Sequence, residues 1–169
     1  MEEINYRNAT LSDLETIVAI YNSTIPSRMV TADTEPVTVE SKIKWFEQHT
    51  ADKHPLWIIE NKNKEIVGWI SLQAFYGRPA YNGTAEISIY LEENQRGKGM
   101  GKRTLADSLS RCTALGITTV LGFIFAHNEP SLRLFRHFGF EDWGTLPHVA
   151  VLDGEEKSLK ILGKRTSAE

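Results

Sequence analysis

The chain has 169 residues, 41% of them hydrophobic and 24% charged, which predicts one globular domain over residues 1–169 and excludes a disordered or fibrous protein. The formal net charge of −3 gives no overall attraction to polyanions, so we expect neither nucleic acid nor a membrane as a partner. A single cysteine, the lack of a signal sequence and the lack of a bilayer-spanning apolar run lead us to expect a cytoplasmic protein. The histidines show no ligand spacing, so we predict no metal site.

The first half of the chain is predicted to alternate between strands and helices. Residues 4–7 alternate like a short strand, and Thr10-x-x-Asp13 is typical of a capping box that opens a helix reaching about residue 22. Residues 23–37 lack a clear period, which indicates a long loop of the functional or mobile kind. A helix at 38–49 and an antiparallel hairpin of strands at 56–60 and 66–75 follow. The expected core residues of this half are Ile43, Trp45, Phe46, Trp57, Trp69 and Phe75.

The second half is predicted to contain two parallel strands joined through a helix. Its elements are a strand at 84–91, a glycine turn at 95–102, a helix at 104–115 that Gly116 ends, a strand at 119–125, a short helix opened by residues 128–131, and a terminal hairpin of strands at 141–148 and 157–162. The intervening helix returns the chain to the same end of the sheet, so strand 119–125 should run parallel to strand 84–91. This order of elements predicts a mixed sheet flanked by helices, an α/β or α+β architecture.

The turn Gln95-Arg96-Gly97-Lys98-Gly99-Met100-Gly101-Lys102 is the strongest functional signal in the chain. Alternating glycines between a strand and a helix leave backbone N–H groups free, and the helix dipole favours an anion there, so the turn predicts a phosphate cradle. The turn is not a Walker A loop, because Arg103 follows Lys102, and it is not a dinucleotide fingerprint, because Lys102 replaces the last glycine. A glycine-rich turn without a ligand is the alternative. The basic residues that crowd around it, either to bind several phosphates or as a solvated helix face, are Arg96, Lys98, Lys102, Arg103 and Arg111.

Two motifs together resemble a known family. Arg96-x-x-Gly99-x-Gly101 resembles the pyrophosphate loop of the GNAT superfamily of acyl-CoA-dependent N-acyltransferases. Asn128-x-x-Ser131-x-x-Leu134-Phe135-x-x-x-Gly139-Phe140 resembles the later motif of that family, on the expected element. The resemblance implies a single acetyltransferase domain of the GNAT fold, with acetyl-CoA as cosubstrate. That fold is a central mixed, mostly antiparallel sheet of about seven strands with one parallel pair, flanked by about four helices.

Within the superfamily the chain is most similar to the phosphinothricin and methionine-sulfone acetyltransferases. The similarity is carried by Arg78-x-x-Tyr81, Ala85-Glu86-x-Ser88-x-Tyr90 and Gly144-Thr145-Leu146-Pro147. It implies acetylation of the primary amine of a small amino acid or of a glutamate or methionine analogue, by a homodimer. Two residues depart from the pattern. Phe135 stands where many members have a tyrosine and the phosphinothricin enzymes a histidine to reprotonate the leaving thiolate, and Tyr76 stands where the latter carry a lysine.

The resemblance also assigns roles to individual residues. We expect Glu86 to take the proton of the amine, directly or through water, because an α-amino group of pKa about 7.7–8.0 is mostly protonated at neutral pH. A strand glutamate in a cross-strand ion pair is the alternative. Arg78, which is suited to a carboxylate or phosphinate, and Tyr81 are the expected substrate-binding residues. The expected cofactor-binding residues are Ile89, Tyr90 and Leu91 in the strand, Arg96, Gly97, Lys98, Gly99, Met100, Gly101 and Lys102 in the turn, and Asn128 and Ser131, for which a helix cap is the alternative.

Two other functions stay open at this point. Acetylation of a protein or peptide amine would call for an open groove, and the predicted loop at 23–37 together with Arg78 argues against one. A non-catalytic acetyl-CoA-binding module would account for the missing proton donor at Phe135.

Overall fold

A computed structural model describes residues 2–166 of the chain. Within them, the strands are β1 (Ile4–Asn8), β2 (Leu56–Asn61), β3 (Ile66–Ala74), β4 (Thr84–Leu91), β5 (Thr119–Phe125), β6 (Glu141–Leu152) and β7 (Glu155–Arg165). The α-helices are α1 (Leu14–Thr24), α2 (Ile43–Glu47), α3 (Met100–Cys112) and α4 (Glu129–His137). The seven strands form one sheet in the order β1-β2-β3-β4-β5-β7-β6, in which β4 and β5 are parallel and the other neighbours antiparallel. The predicted mixed sheet with one parallel pair is confirmed.

The sheet separates two hydrophobic cores. On one face α3 and α4 cover β4 and β5, with Leu105, Ala85 and Val120 fully buried. On the other face α1 packs Leu14 and Ile17 against the first strands of the sheet. Because successive strand residues point to opposite faces, the residues of β4 that alternate with Ala85 and Ile87 lie on the α1 side. Glu86, Ser88 and Tyr90 therefore share the face that α1 and α2 cover.

The start of α1 agrees with the sequence prediction. The Asp13 carboxylate accepts a hydrogen bond from the Thr10 backbone N–H at 2.7 Å, as a capping box requires. The Arg7 guanidinium holds the same carboxylate at 2.8 and 2.9 Å and reaches Glu60 at 2.5 Å. This ion-pair network joins β1, β2 and the start of α1.

The next segments differ from the prediction. α1 continues to Thr24 and a 3₁₀ turn follows at Ile25–Ser27, so the loop predicted at 23–37 begins later. The helix predicted at 38–49 is only a 3₁₀ turn, Glu40–Lys42, followed by α2. α2 buries no residue completely, and Ile43 is 36% exposed, so the prediction of Ile43 as a core residue is wrong. Trp45 and Phe46 are partly buried against the α1 core.

Three further boundaries also differ. α3 begins at Met100, four residues before the predicted start, because Gly99 serves as its N-cap and Gly101 lies in its first turn. Phe75 lies just beyond β3 and is only partly buried, packing against Tyr76 and Tyr81 instead of the core. The terminal strands are longer than predicted, since β6 continues past His148 through a register shift between Leu146 and Ala150.

No helix in residues 2–166 has both the length and the apolar character needed to cross a membrane. Within the same residues no three histidine, cysteine or acidic side chains come together as a metal site would require.

Candidate active site

A slot opens between β4 and β5 where the two parallel strands separate. Their pairing ends at Glu86 and Leu121, although β4 continues to Leu91 and β5 to Phe125. The Glu92 N–H bonds Val67 on the β3 side, so by alternation the backbone groups of Ile89 and Leu91 face the unpaired β5 side. The slot has a volume of 490 Å³. A ligand lying in it would meet the free backbone groups of Ile89 along one wall, whereas the Leu91 carbonyl already accepts from Arg96. The predicted contacts of Ile89 and Leu91 with a cofactor stay a prediction.

The glycine turn lies between the end of β4 and the start of α3. Gly97 and Gly99 have φ values of 73° and 82°, which side-chain-bearing residues rarely adopt. Within residues 2–166, the backbone N–H groups from Gly97 to Lys102 have no hydrogen-bond acceptor. These N–H groups and the positive end of the α3 dipole would suit an anion, and the anion cradle at this turn stays a prediction. Whether Lys98, Met100 and Gly101 contact a cofactor stays a prediction.

The basic residues near this turn do not all face it. Arg96 donates to the Leu91 carbonyl at 3.2 and 3.1 Å and to Ser23 at 3.0 Å, so it ties the turn to β4 and α1. The Arg111 guanidinium lies over the Tyr6 ring at 4.6 Å, about three helical turns from the cradle. Including Arg111 in a phosphate-binding cluster was therefore wrong.

Arg103 is likewise turned away, because it donates to the Glu2 carbonyl at 2.6 Å. Lys98 and Lys102 remain as exposed cations at the turn.

Asn128 serves as the cap of α4. Its side-chain oxygen accepts from the Ser131 N–H at 3.3 Å, and its amide donates to the Met29 carbonyl at 3.1 Å. The alternative of a helix cap is thus realised, and both residues also line the slot. Phe135 is 8% exposed, lines the slot beside Gly122, and has no group that could donate a proton.

A loop roofs the slot from the α1 side. Met29, Thr31 and Ala32 contribute to its lining. The loop is held by hydrogen bonds at the Tyr21 hydroxyl, which donates to Asp33 and accepts from Thr31, and by the bond from the Asn128 amide to the Met29 carbonyl. Further bonds join His127 to the Arg28 carbonyl at 2.9 Å and the Arg28 guanidinium to Asp153 at 3.0 Å. Hydrogen bonds therefore attach the loop, which was predicted to be functional or mobile, to α1 on one side and to the residues that follow β5 on the other.

Glu86 lies where the slot meets a second cavity. The second cavity has a volume of 660 Å³ and is lined by Glu86 together with His49, Gln73 and Tyr76, among others. Glu86 is half-buried and has no hydrogen-bond or ion-pair partner within residues 2–166, so the alternative of a cross-strand ion pair is wrong. Burial raises the pKa of its carboxyl above the ordinary value. A carboxylate with a raised pKa between two cavities is well suited to accept a proton from a ligand.

Arg78 and Tyr81 follow closely in sequence on residues that line this second cavity. They belong to the connection between β3 and β4, where a 3₁₀ turn spans Pro79–Tyr81. Both are exposed, and Tyr81 packs edge-on against Phe75 at 5.3 Å. Neither side chain lines a cavity, although their neighbours Tyr76 and Gly77 do. Their assignment to substrate binding stays a prediction.

Sequence reasoning missed a third cavity, under α2. This aromatic pocket has a volume of 300 Å³ and is lined by Tyr21, Trp45, Trp69, Tyr90 and Lys42, with Ile17, Val18, Val37, Ser71, Gln73 and Ser88. Ser88 and Tyr90 also line the slot, and Gln73 also lines the second cavity. The only sequence signal for this pocket was the density of aromatic residues at 45–90, which by itself predicts a hydrophobic core and no ligand site.

Comparison with known proteins defines the class. Residues 3–141 match the family described as the acetyltransferase (GNAT) domain. YwnH of Bacillus subtilis (strain 168), provisionally named a phosphinothricin acetyltransferase, is 53% identical over 95% of this chain and 98% of its own. An L-methionine sulfoximine/L-methionine sulfone acetyltransferase of Pseudomonas aeruginosa is 30% identical over 92% of this chain and 91% of its own.

A solved structure agrees with these relatives. The Sinorhizobium meliloti phosphinothricin acetyltransferase, crystallised with acetyl-CoA, superposes with a TM-score of 0.87 at 28% identity over 96% of this chain and 88% of its own. The chain belongs to the GNAT family. It is an acetyl-CoA-dependent N-acetyltransferase, and it is similar to enzymes named for phosphinothricin and for methionine sulfoximine or sulfone.

Proposed function

We propose that this enzyme acetylates the α-amino group of a small amino acid or of a glutamate or methionine analogue, of the phosphinothricin, methionine sulfone or methionine sulfoximine type. The relatives named for these substrates align with nearly the whole chain. The observation that carries the proposal is the position of Glu86, an unpaired, half-buried carboxylate shared by the slot and the second cavity. An acyl donor in one cavity and an amine in the other would meet at this carboxylate.

The slot and the glycine turn fit acetyl-CoA. The free N–H groups from Gly97 to Lys102 suit a diphosphate, and the unpaired edge of β4 suits the amide groups of a pantetheine arm. Acetyl-CoA supplies an activated acetyl group as a thioester. One backbone N–H of β4, at Ile89 or Leu91, would polarise the thioester oxygen. Asn128 and Ser131 would border the pantetheine side of the slot.

Glu86 would act as the general base. An ammonium group cannot attack a carbonyl, so its proton must leave first, and a carboxylate whose pKa is raised by burial accepts that proton more readily than an exposed one. The free amine then forms the new C–N bond while the C–S bond breaks. The nitrogen gives up its second proton as the amide forms, which balances the proton that the thiolate takes up. Phe135 cannot supply that proton. Water or Tyr90 would supply it, although burial raises the pKa of Tyr90 and makes its hydroxyl a weaker acid.

An acceptor panel tests this proposal. The purified enzyme is incubated with acetyl-CoA and single amino acids, including phosphinothricin, methionine sulfone and methionine sulfoximine, and the released thiol is measured. We expect turnover of at least one small amino acid and little turnover of peptides. Turnover of peptide amines alone would indicate a protein acetyltransferase. Loss of turnover with every acceptor, while acetyl-CoA still binds, would indicate a binding module.

We also propose that the enzyme works as a homodimer. β6 is an edge strand of the sheet, and it exposes Trp143, Leu146, Val149 and Val151, with exposed fractions of 42–61%. A long apolar edge strand is usually covered by a partner. Val149 also lines the slot, so a second copy there would lie beside the active site. Light scattering of the purified protein should give twice the mass of one chain, and a monomer at micromolar concentration would contradict the proposal.

A further inference from the structure

We propose that the aromatic pocket under α2 receives the side chain of the acceptor amino acid and that Lys42 makes it select side chains ending in anionic or strongly dipolar oxygens. The proposal rests on the proposed function, because it places the acceptor amine at Glu86. It names a specificity-determining residue that sequence reasoning did not find.

The walls of the pocket are rigid and mostly apolar. The Trp69 and Tyr90 rings stack at 4.5 Å, Trp45 meets Trp69 edge-on at 5.4 Å, and Tyr21 lies 5.2 Å from Tyr90. Two of the four polar ring atoms are engaged by the protein, since the Trp69 indole donates to the Ile17 carbonyl at 3.1 Å and the Tyr21 hydroxyl bonds the loop. Such walls favour an apolar stem.

Ser71 is also engaged. The His49 Nδ1 lies 2.9 Å from the Trp45 carbonyl, which can only accept, so Nδ1 carries the hydrogen. The other ring nitrogen, Nε2, then accepts from the Ser71 hydroxyl at 2.6 Å. The Ser71 proton is therefore not available to a ligand.

Besides the Trp45 indole and the Tyr90 hydroxyl, three polar groups of the pocket are left without a partner within residues 2–166. They are the Lys42 ammonium and the side chains of Gln73 and Ser88, none of which makes a hydrogen bond or ion pair. Lys42 lies 5.4 Å above the Tyr21 ring, and no acidic side chain lines the pocket. A few convergent polar groups in an apolar pocket are typical of a ligand site. The only charge among them is positive, which favours oxygen-rich or anionic ends and disfavours cations.

The pocket is continuous with the catalytic carboxylate. Gln73 of β3 pairs directly with Glu86 of β4, and Ser88 follows Glu86 on the same face, about 7 Å along the strand. An acceptor with its amine at Glu86 can therefore direct its side chain past Ser88 toward Lys42.

The test compares matched acceptors and matched lysine variants. Two pairs of acceptors, glutamate and glutamine, and methionine sulfone and norleucine, differ in the oxygens at the end of the side chain. A third pair, arginine and citrulline, differs in charge. The variants are Lys42→Met and Lys42→Glu, with Lys44→Met as control, since Lys44 is exposed and lines no cavity. We expect Lys42→Met to lower the kcat/KM preference for the oxygen-rich member of the first two pairs about 10-fold, mainly through KM. Lys42→Glu should favour arginine, and Lys44→Met should change nothing.

A binding measurement separates the two proposals. Trp45 and Trp69 line the pocket, so acceptor binding to the enzyme with CoA should change tryptophan fluorescence, and Trp45→Phe should reduce the change. Turnover with a preference that Lys42→Met leaves intact would overturn the pocket assignment alone. Binding that depends on Lys42 without turnover would support the pocket and contradict the proposed function. The lack of both turnover and binding would overturn both.

Discussion

Gly122 and Phe135 pack together at the wall of the slot, and Gly122→Ala tests how tightly. A Cβ atom at position 122 would lie 2.7 Å from Cε1 and 3.0 Å from Cδ1 of Phe135, closer than carbon atoms pack. Phe135 is 8% exposed and also contacts Phe140 at 4.8 Å, so its ring can move only toward the slot. Overpacking of this kind costs about 1–3 kcal/mol. The smaller conformational entropy of the unfolded alanine variant offsets about 0.4–1 kcal/mol, which leaves a net loss of stability centred on about 1.3 kcal/mol and at most about 2.6 kcal/mol.

Chemical denaturation and acetyl-CoA kinetics measure the two effects. The free energy of unfolding should fall by that amount, and each kcal/mol should lower Tm by about 2–4 °C in a chain of this size. The KM for acetyl-CoA should rise, because the displaced ring narrows the slot. Adding Phe135→Leu should restore both values. Unchanged stability and KM in Gly122→Ala, or no recovery in the double variant, would refute this packing.

Gly163→Ala is the matched control. Its Cβ would lie 1.9 Å from Trp143, an even closer approach. Trp143, however, is 47% exposed on the edge strand and can turn toward solvent. We therefore expect a smaller loss of stability than for Gly122→Ala and an unchanged KM for acetyl-CoA.

Three further predictions concern stability. Burial raises the folded-state pKa of Glu86, so its negative charge destabilises the fold above that pKa. Glu86→Gln should therefore raise Tm at pH 7–8, and the gain should disappear below about pH 4, where the carboxyl is protonated in both states. A gain in Tm that persists in acid would contradict this. Arg7 lowers the pKa of Asp13, so this pair stabilises the fold above the unfolded pKa of about 3.9 and ceases to do so as pH falls through the folded value. Asp13→Asn should cost about 1–3 kcal/mol in denaturation at pH 7 and progressively less in acid, and an equal cost at both would refute the assignment. Asn128→Asp keeps the cap oxygen but loses the amide that holds Met29, so hydrogen exchange should rise in the roof loop while α4 stays protected; exchange that rises in α4 instead would contradict this.

The elements with a strong local signal were predictable. β4 and β5 have the predicted bounds because β4 alternates polar and apolar residues, β5 is almost entirely apolar, and both are flanked by glycine or polar turns. The extent of β6 was not predictable, since its outer half exposes Val149 and Val151 and gains its pairing only from β7. The length of α2 was overestimated because the spacing of its apolar residues suggested a buried face, whereas no residue of α2 is completely buried.

The candidate site was predictable where it depends on a contiguous motif. The glycine turn and the orientation of Glu86 follow from spacing and strand alternation. The aromatic pocket was not, because Lys42 and Trp69 come from separate segments that only the tertiary fold brings together. The cytoplasmic location and the homodimer stay predictions.

The central claim is that Glu86 takes the proton of the attacking amine, and one comparison tests it most directly. The kcat/KM of Glu86→Gln is measured with the best acceptor beside its acetyl-CoA affinity by calorimetry, with the exposed Glu15→Gln as control. Loss of a general base should lower kcat/KM by about 10²–10⁴-fold, while acetyl-CoA affinity stays at the wild-type value. A Glu86→Gln enzyme that turns over at the wild-type rate and still binds acetyl-CoA would contradict the account.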